Sequence, residues 1–344
     1  MLLNLVFTKS HAQAGGGGSM SFLNIPGISK VGALGGVNIS SYHDNAGMFM
    51  YNPALLHEDH DNVLSLHQTF YFANISNSQV SYAKDLGKAG IWAAGIQYMN
   101  YGTIDAYDNT GQEDGTFSVA DYAISIAHMH RMGDFQMGAG FKIASSRLIT
   151  YNSTALMLDL GGIYRHPTSD FTVGMAVRNL GFVISDYTAY GDSELLPEVE
   201  TGTTFKPEHL PFRFSFTLYN LLRAGEFFYD EDGNVRPGNL EPSLFNKGLR
   251  HIVVGTELIL SNNFQLRFGY NHRKRQELRL NETAGGAGIS YGMHWKWRGA
   301  ALDMSRMHYH AAGALTQLGI QIDFNKGFKS QPITIKSNDD DTGF

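Results

Sequence analysis

The chain has 344 residues, 32 acidic against 26 basic side chains, a net charge of −6 and no cysteine. The acidic balance argues against a general nucleic-acid binder, and the missing thiols exclude disulfides, thiolate metal sites and cysteine nucleophiles. Charged residues make up 17% of the chain while glycine reaches 39 residues and aromatics 12%. Soluble domains carry ~25% charge, so the composition suits a membrane barrel with small inward residues and aromatic girdles.

Along the chain, no stretch approaches the ~20 apolar residues of a spanning helix. A short apolar run from Leu2 to Phe7 precedes Ala12-Gln13-Ala14, a small-residue cleavage pattern. Residues 1–14 are therefore read as a signal-peptide remnant without its basic n-region, with Gly15 opening the mature chain. Gly15 to Gly18 is not a phosphate loop, because no strand and helix frame it. Residues 15–60 are irregular and rich in small residues, as in Lys30-Val31-Gly32-Ala33-Leu34-Gly35-Gly36 and Met48-Phe49-Met50-Tyr51-Asn52-Pro53-Ala54. A barrel can enclose such a stretch, so it is assigned as an N-terminal plug or hatch. His57, Glu58, Asp59, His60 and Asp61 read as a solvated turn ahead of the first strand.

From residue 61 to 324 a period of two dominates. Phe171, Val173, Met175 and Val177 alternate with Thr172, Gly174, Ala176 and Arg178. Phe264, Leu266, Phe268 and Tyr270 alternate with Gln265, Arg267, Gly269 and Asn271. One face is large and apolar, the other small, polar or charged. A soluble sandwich also alternates, but its strands run ~5–6 residues, whereas runs of ~9–11 residues cross a bilayer at a tilt. Strands are expected near 61–73, 78–85, 88–101, 116–130, 134–147, 152–166, 170–180, 197–206, 210–222, 247–260, 263–274, 285–297, 299–307 and 313–324. Single-chain bacterial barrels have an even number of strands, as this count does. The fold class is thus all-β, a 14-stranded antiparallel transmembrane β-barrel.

The connections carry separate information. Tight turns at Leu86-Gly87, Met132-Gly133, Ser261-Asn262 and Arg298-Gly299 alternate with longer connections at 102–115, 181–196, 223–246 and 275–284. Short periplasmic turns opposite long extracellular loops produce this series, and it places both termini on the periplasmic side. Residues 325–344 form a polar periplasmic tail that ends in Asn338-Asp339-Asp340-Asp341.

Little in the chain points to chemistry. His308 and His310 share a strand face, but nothing supplies the further ligands zinc needs. Asp230-Glu231-Asp232-Gly233-Asn234 lacks the acidic spacing and closing glutamate of a calcium loop and reads as a surface turn. Asn281-Glu282-Thr283 matches the glycosylation pattern no better than chance. Arg273, Lys274, Arg275 and Arg279 form the densest basic cluster. It is a candidate contact for anionic lipid, lipopolysaccharide phosphates or an acidic partner patch. No nucleophile and base can be paired, so no enzyme, cofactor or metal is expected. Phe227, Phe228 and Tyr229 in the 223–246 loop are candidate docking anchors, since aromatics anchor interfaces.

Several motifs carry a resemblance: Ser21-Phe22-Leu23-Asn24-Ile25-Pro26, Ala33-Leu34-Gly35-Gly36, Asn52-Pro53-Ala54-Leu55-Leu56, Gly95 to Gly102, Asp121-Tyr122-Ala123, Arg178-Asn179-Leu180-Gly181, Pro211-Phe212-Arg213, Arg250-His251 through Gly255, and Gly269 to Leu278. In that order the chain resembles the PorQ family, outer-membrane components of the type IX secretion system of Bacteroidota within the wider FadL-like barrel class. The resemblance covers nearly the whole mature chain and departs from the family chiefly at 183–210 and 223–246. It implies a FadL-like barrel related to PorV. It also implies a role in the attachment complex with PorU, PorV and PorZ, in which the barrel anchors PorZ and takes part in cargo processing and surface attachment. The alternative is a FadL-like transporter of hydrophobic small molecules. An outer-membrane enzyme ranks last.

Overall fold

The computed structural model describes residues 20–43, 45–108, 110–148, 151–188, 193–223, 244–277, 286–310 and 313–326. Fourteen antiparallel strands close on themselves in chain order, the first pairing with the last. They are β1 Val63–Phe70, β2 Ser76–Asp85, β3 Ile91–Tyr107, β4 Glu113–Met132, β5 Phe135–Leu148, β6 Tyr151–Arg165 and β7 Phe171–Ser185. The series continues with β8 Glu198–Phe205, β9 Phe212–Leu218, β10 Ile252–Ser261, β11 Phe264–Asn271, β12 Ile289–Trp297, β13 Ala300–His310 and β14 Gly313–Asp323. Closure runs from Val63 opposite Asp323 to Phe70 opposite Thr316. A closed barrel leaves no edge strand and satisfies its backbone polar groups between neighbours, which a bilayer demands.

The alternation read from the sequence is the barrel's inside and outside. On β11, Phe268 and Tyr270 face out at 51% and 40% exposure while Arg267 is 1% exposed inside. Ile96, Ile124, Ile126, Phe141, Leu158, Met293, Leu318 and Ile320 extend the outward apolar band around the wall. Trp92, Phe135, Trp295 and Trp297, all exposed, lie beside the tight turns, where amphipathic aromatics favour a membrane boundary.

The wall is uneven. β4 has 20 residues and β3 has 17, whereas β8 and β9 have 8 and 7. The expected loop at 102–115 is instead mostly a hairpin extension, with Tyr107 paired to Glu113 across register shifts at Asn100/Thr103 and Asp105/Tyr107. Thr103, Asp105, Glu113 and Thr116 are exposed. Both faces of that extension meet water, so pairing continues after the apolar periodicity has stopped. Two short helices also differ from expectation. Residues 244–249, partly assigned to a strand, form α2 (Leu244–Leu249), and the end of the eleventh strand turns into α3 (His272–Glu277). A register shift between His308 and His310 interrupts the alternation on which their shared face rested.

A bulge on β7 shows how the wall accommodates its own charges. Asn179 takes a left-handed φ of 59°, a conformation asparagine tolerates better than most residues. Its N–H donates to Asp159 Oδ1 at 2.7 Å and its Oδ1 accepts from Lys142 Nζ at 2.8 Å. The register of β6 with β7 shifts between Leu158 and Leu160 as a result, as a bulge requires.

Candidate functional site: the barrel interior

Most of the described residues between 20 and 60 are buried within the ring of strands. Phe22, Ile28, Val31, Leu34, Ile39, Ala54 and Leu56 are 0% exposed. The stretch is mostly short 3-10 turns, with one helix, α1 (Ser29–Ala33). Irregular backbone at membrane depth must find partners within the protein, and this segment does. Gln317 Nε2 donates to the Pro26 carbonyl at 2.5 Å, Ser290 Oγ to Ala33 O at 2.9 Å and Asn271 Nδ2 to Gly35 O at 3.2 Å. Gln97 Nε2 donates to Phe22 O at 3.2 Å and Thr172 Oγ1 to Ser40 O at 2.7 Å. Lys30, 0% exposed, donates its Nζ to the His43 carbonyl.

Asparagines organise the segment locally. Asn45 and Asn52 cap successive 3-10 turns by accepting from Gly47 N at 2.9 Å and Ala54 N at 3.0 Å, the role asparagine plays best at a helix start. Asn52 also donates to Ile39 O at 2.9 Å, tying two parts of the segment together. The Tyr51 hydroxyl accepts from Gly27 N at 2.7 Å, and burial raises the phenol's pKa.

The wall is shaped to receive this segment. At Gly138 any Cβ would collide with the Pro53–Ala54 backbone, and at Gly269 with the Leu34–Gly35 backbone. Both positions therefore need glycine for close approach of two main chains. Around them, Met48, Phe49, Ala54, Leu55 and Leu56 share one apolar cluster with Ala127, Ile163 and Ala176 of the wall. A second apolar cluster lies further along the lumen, where Met20, Phe22 and Leu23 meet Met99, Met157 and Leu195.

Between these apolar regions the interior is charged. Lys142 Nζ sits 2.7 Å from Asp159 Oδ2, and Arg178 2.8 Å from Glu200. Arg267 reaches Asp303 Oδ1 at 2.5 Å and Glu257 Oε2 at 3.3 Å, and His294 Nδ1 lies 3.0 Å from the same Asp303 oxygen. The sequence reading does not single these groups out, yet one pair is legible there. His294 faces Asp303 across Arg298-Gly299 at equal distances from that turn, whereas Glu257 faces Arg267 only through a register shift between Ile259 and Ser261. Opposite charges at equal distances from a tight turn, on the polar face, are the signal. Arg178 with Glu200 and Lys142 with Asp159 are diagonal neighbours and need the register.

The residues expected from sequence fare differently. His57 and His60 are not solvated: each is 6% exposed, their tilted rings lie 3.7 Å apart, and His57 stacks on Tyr42 at 4.4 Å. Burial holds His57 down at about 4, against the pull of Asp59. Only Glu58 and Asp59 of that group are exposed. Asp61 is held near 2 by hydrogen bonds from Asn325 and the Asp85 amide. In the basic cluster, Arg273, Lys274 and Arg275 share α3, but Lys274 turns inward, its Nζ 3.5 Å from Met307 Sδ, and burial lowers it to about 8. Phe227, Phe228, Tyr229, Asp230 to Asn234, Arg279 and Asn281 to Thr283 lie outside the described residues, as do residues 1–19 and 327–344. Among the described residues, no group of three or more histidine, aspartate or glutamate side chains is arranged to hold a metal ion.

No family model and no curated protein matches the chain. Among solved structures it is similar to a TodX monoaromatic hydrocarbon channel deltaS2 mutant, with 14% identity, a TM-score of 0.49 and coverage of 87% of this chain and 98% of that one. It is also similar to a FadL homologue from Pseudomonas aeruginosa (10% identity, TM-score 0.43, 86% and 98% coverage). Omp33, an outer membrane protein of Acinetobacter baumannii, follows at 10% identity and a TM-score of 0.37, with 76% and 97% coverage. With its apolar outer band, polar interior and closed ring of 14 strands, the protein is a multi-pass β-barrel of the outer-membrane type.

Proposed function

We propose that this barrel is a non-catalytic membrane anchor that holds partner proteins at the cell surface, the role its resemblance to PorQ implies. The observation that supports this reading is the inner segment. Its buried side chains occupy the lumen, and its main chain approaches the wall through Gly138 and Gly269. A segment so seated braces the barrel wall from within. The long strands β3 and β4 raise one side of the wall and offer area for docking, and a stable interface needs ~1,000 Å² or more. The partners themselves, PorZ, PorU and PorV, rest on the sequence resemblance.

A second reading is a transporter of hydrophobic small molecules. It is favoured by the apolar cluster of Phe22 and Leu23 with Met99, Met157 and Leu195, which offers such a molecule apolar surroundings inside the barrel. The barrel form shared with a monoaromatic hydrocarbon channel and a FadL homologue belongs with this reading, whereas the secretion role has no counterpart among those structures.

Affinity purification of the full-length protein from native outer membrane separates the two. Co-purification of PorZ with PorU and PorV is the expected result. Recovery of the barrel alone, together with saturable binding of toluene or a long-chain fatty acid, would replace anchoring with transport.

A further inference from the structure

Charges in the interior fall into two groups. At membrane depth Lys142, Arg178 and Arg267 each sit within 3 Å of a carboxylate oxygen, at 2.7, 2.8 and 2.5 Å. At the tight-turn end the pattern changes. A cavity of about 350 Å³ opens there between the inner segment and the wall, within the ~300–1,000 Å³ range of small-molecule sites.

The wall lends this cavity Arg165, Lys296 and Arg298, and the inner segment lends Tyr42, His57 and His60. Among the described residues, none of the three wall cations makes an ion pair with a carboxylate. The two acidic groups on the lining are Asp59 and Asp323. Asp323 is already matched by Lys326 at 2.7 Å, and Asp59 is 91% exposed beside His57 at 3.6 Å. The guanidinium of Arg165 lies over the Tyr42 ring at 4.7 Å, and that of Arg298 over Trp297 at 5.1 Å. Stacking restrains a guanidinium while leaving its N–H edge free to meet a planar or tetrahedral oxyanion. Cations gathered on low-dielectric walls raise the local concentration of anions.

We propose that this cavity binds a small, multiply charged oxyanion of the phosphate-ester or polycarboxylate class. The ligand enters at the tight-turn end, the periplasmic end by the asymmetry of the loops, and bridges the inner segment to the wall. Arg165 and Lys296 supply charge-assisted hydrogen bonds, and the buried His57 and His60 rings form the floor. The proposal is independent of whether the barrel anchors partners or moves hydrophobic cargo.

The test is isothermal titration of the purified full-length protein in detergent with inorganic pyrophosphate and, separately, with citrate, at constant ionic strength against chloride. Saturable binding of at least one probe is expected, and their ratio identifies which oxyanion class the site prefers. Lys296→Gln and Arg165→Gln should each weaken binding by about tenfold or more, the scale of a lost charge-assisted hydrogen bond. Lys296→Arg should retain binding, and so should Lys247→Gln on α2, away from this cavity. Heat-modifiability on a gel shows that each variant is folded. Absence of binding above chloride in the unaltered protein would overturn the proposal, as would equal binding by folded Lys296→Gln and Arg165→Gln. Binding that emerges only after Asp339, Asp340 and Asp341 are changed to asparagine would also overturn it, by assigning the cavity to the chain's own acidic segment.

Discussion

The inner segment meets the wall in two different ways. Against β4 to β6 the contact is dry: Pro53 and Ala54 press on Gly138, and Leu55 and Leu56 pack among Ala127 and Ile163. Against β10 to β13 charge is added to such packing: Leu34 and Gly35 press on Gly269, and polar groups lie beside them. Ser41 donates to Glu257 at 3.4 Å, beside the Arg267–Asp303–His294 network. The dry side depends on small residues that allow two backbones to touch, so its sensitivity is to added volume. The polar side depends on charge balance where water is excluded, so its sensitivity is to the loss of a partner. The same strand period builds both, and the identity of the inward residue decides which one a given strand provides.

The largest effect is expected from unbalancing the polar side. Arg267→Met leaves Asp303 and Glu257 in excess of the positive charge around them, and breaking a buried pair in this way costs roughly 3–5 kcal/mol. Urea unfolding in detergent, followed by loss of the heat-modifiable band, should show it. Combining Arg267→Met with Glu257→Gln and Asp303→Asn should recover most of the loss. If the single and triple variants unfold alike, charge balance is not what matters there.

Acidification tests the base of the dry side, where His57 lies between Tyr42 and His60. Its folded-state value of about 4 lies below the ordinary 6.5 because burial disfavours the imidazolium. The unfolded chain therefore takes up the proton first. This contribution is complete above pH 6.5, declines as pH falls from 6.5 to 4, and is flat below that. Its full span is roughly 3 kcal/mol. Tyr42, His43, Glu58, Asp59 and His60 surround the ring, and other carboxylates titrate in the same range, so the measurement is a difference. The midpoint shift between pH 7 and 4.5 should be larger in the native protein than in His57→Gln. Equal shifts would remove His57 from the account.

The smallest effect comes from adding volume. Gly138→Val should cost about 1–3 kcal/mol as overpacking and should expose residues 20–60 to added protease, because the Pro53–Ala54 main chain must move. Gly162→Val, at a neighbouring position with nothing within 4 Å of the new carbon, is the control. Equal protease resistance in the two variants would mean that the dry contact tolerates more than its geometry suggests.

Strand number, the positions of the tight turns and the assignment of faces were determined by the sequence alone. All three rest on a local period of two that lipid and the wet interior impose on every strand. Phe268 outside and Arg267 inside follow from that period with no knowledge of neighbours. The His294–Asp303 pair is within reach for the same reason, because a tight turn sets hairpin register locally, whereas the Glu257–Arg267 pair needs the bulge that shifts β10 against β11. Where both faces are wet the period of two vanishes, and the hairpin extension of β3 and β4 has the sequence pattern of a loop. Only the tertiary structure decided the rest. His57 and His60 sit in a polar stretch that looks solvated, and they are buried because the segment folds back under Tyr42. Gly138 and Gly269 look like any small inward residues until Pro53 and Leu34 arrive against them. The cavity that gathers Arg165, Lys296 and Arg298 draws on β6, the β12–β13 turn and the inner segment, separated by more than a hundred residues. Barrel closure brings them to one place, and no local pattern encodes the closing contact of β1 with β14.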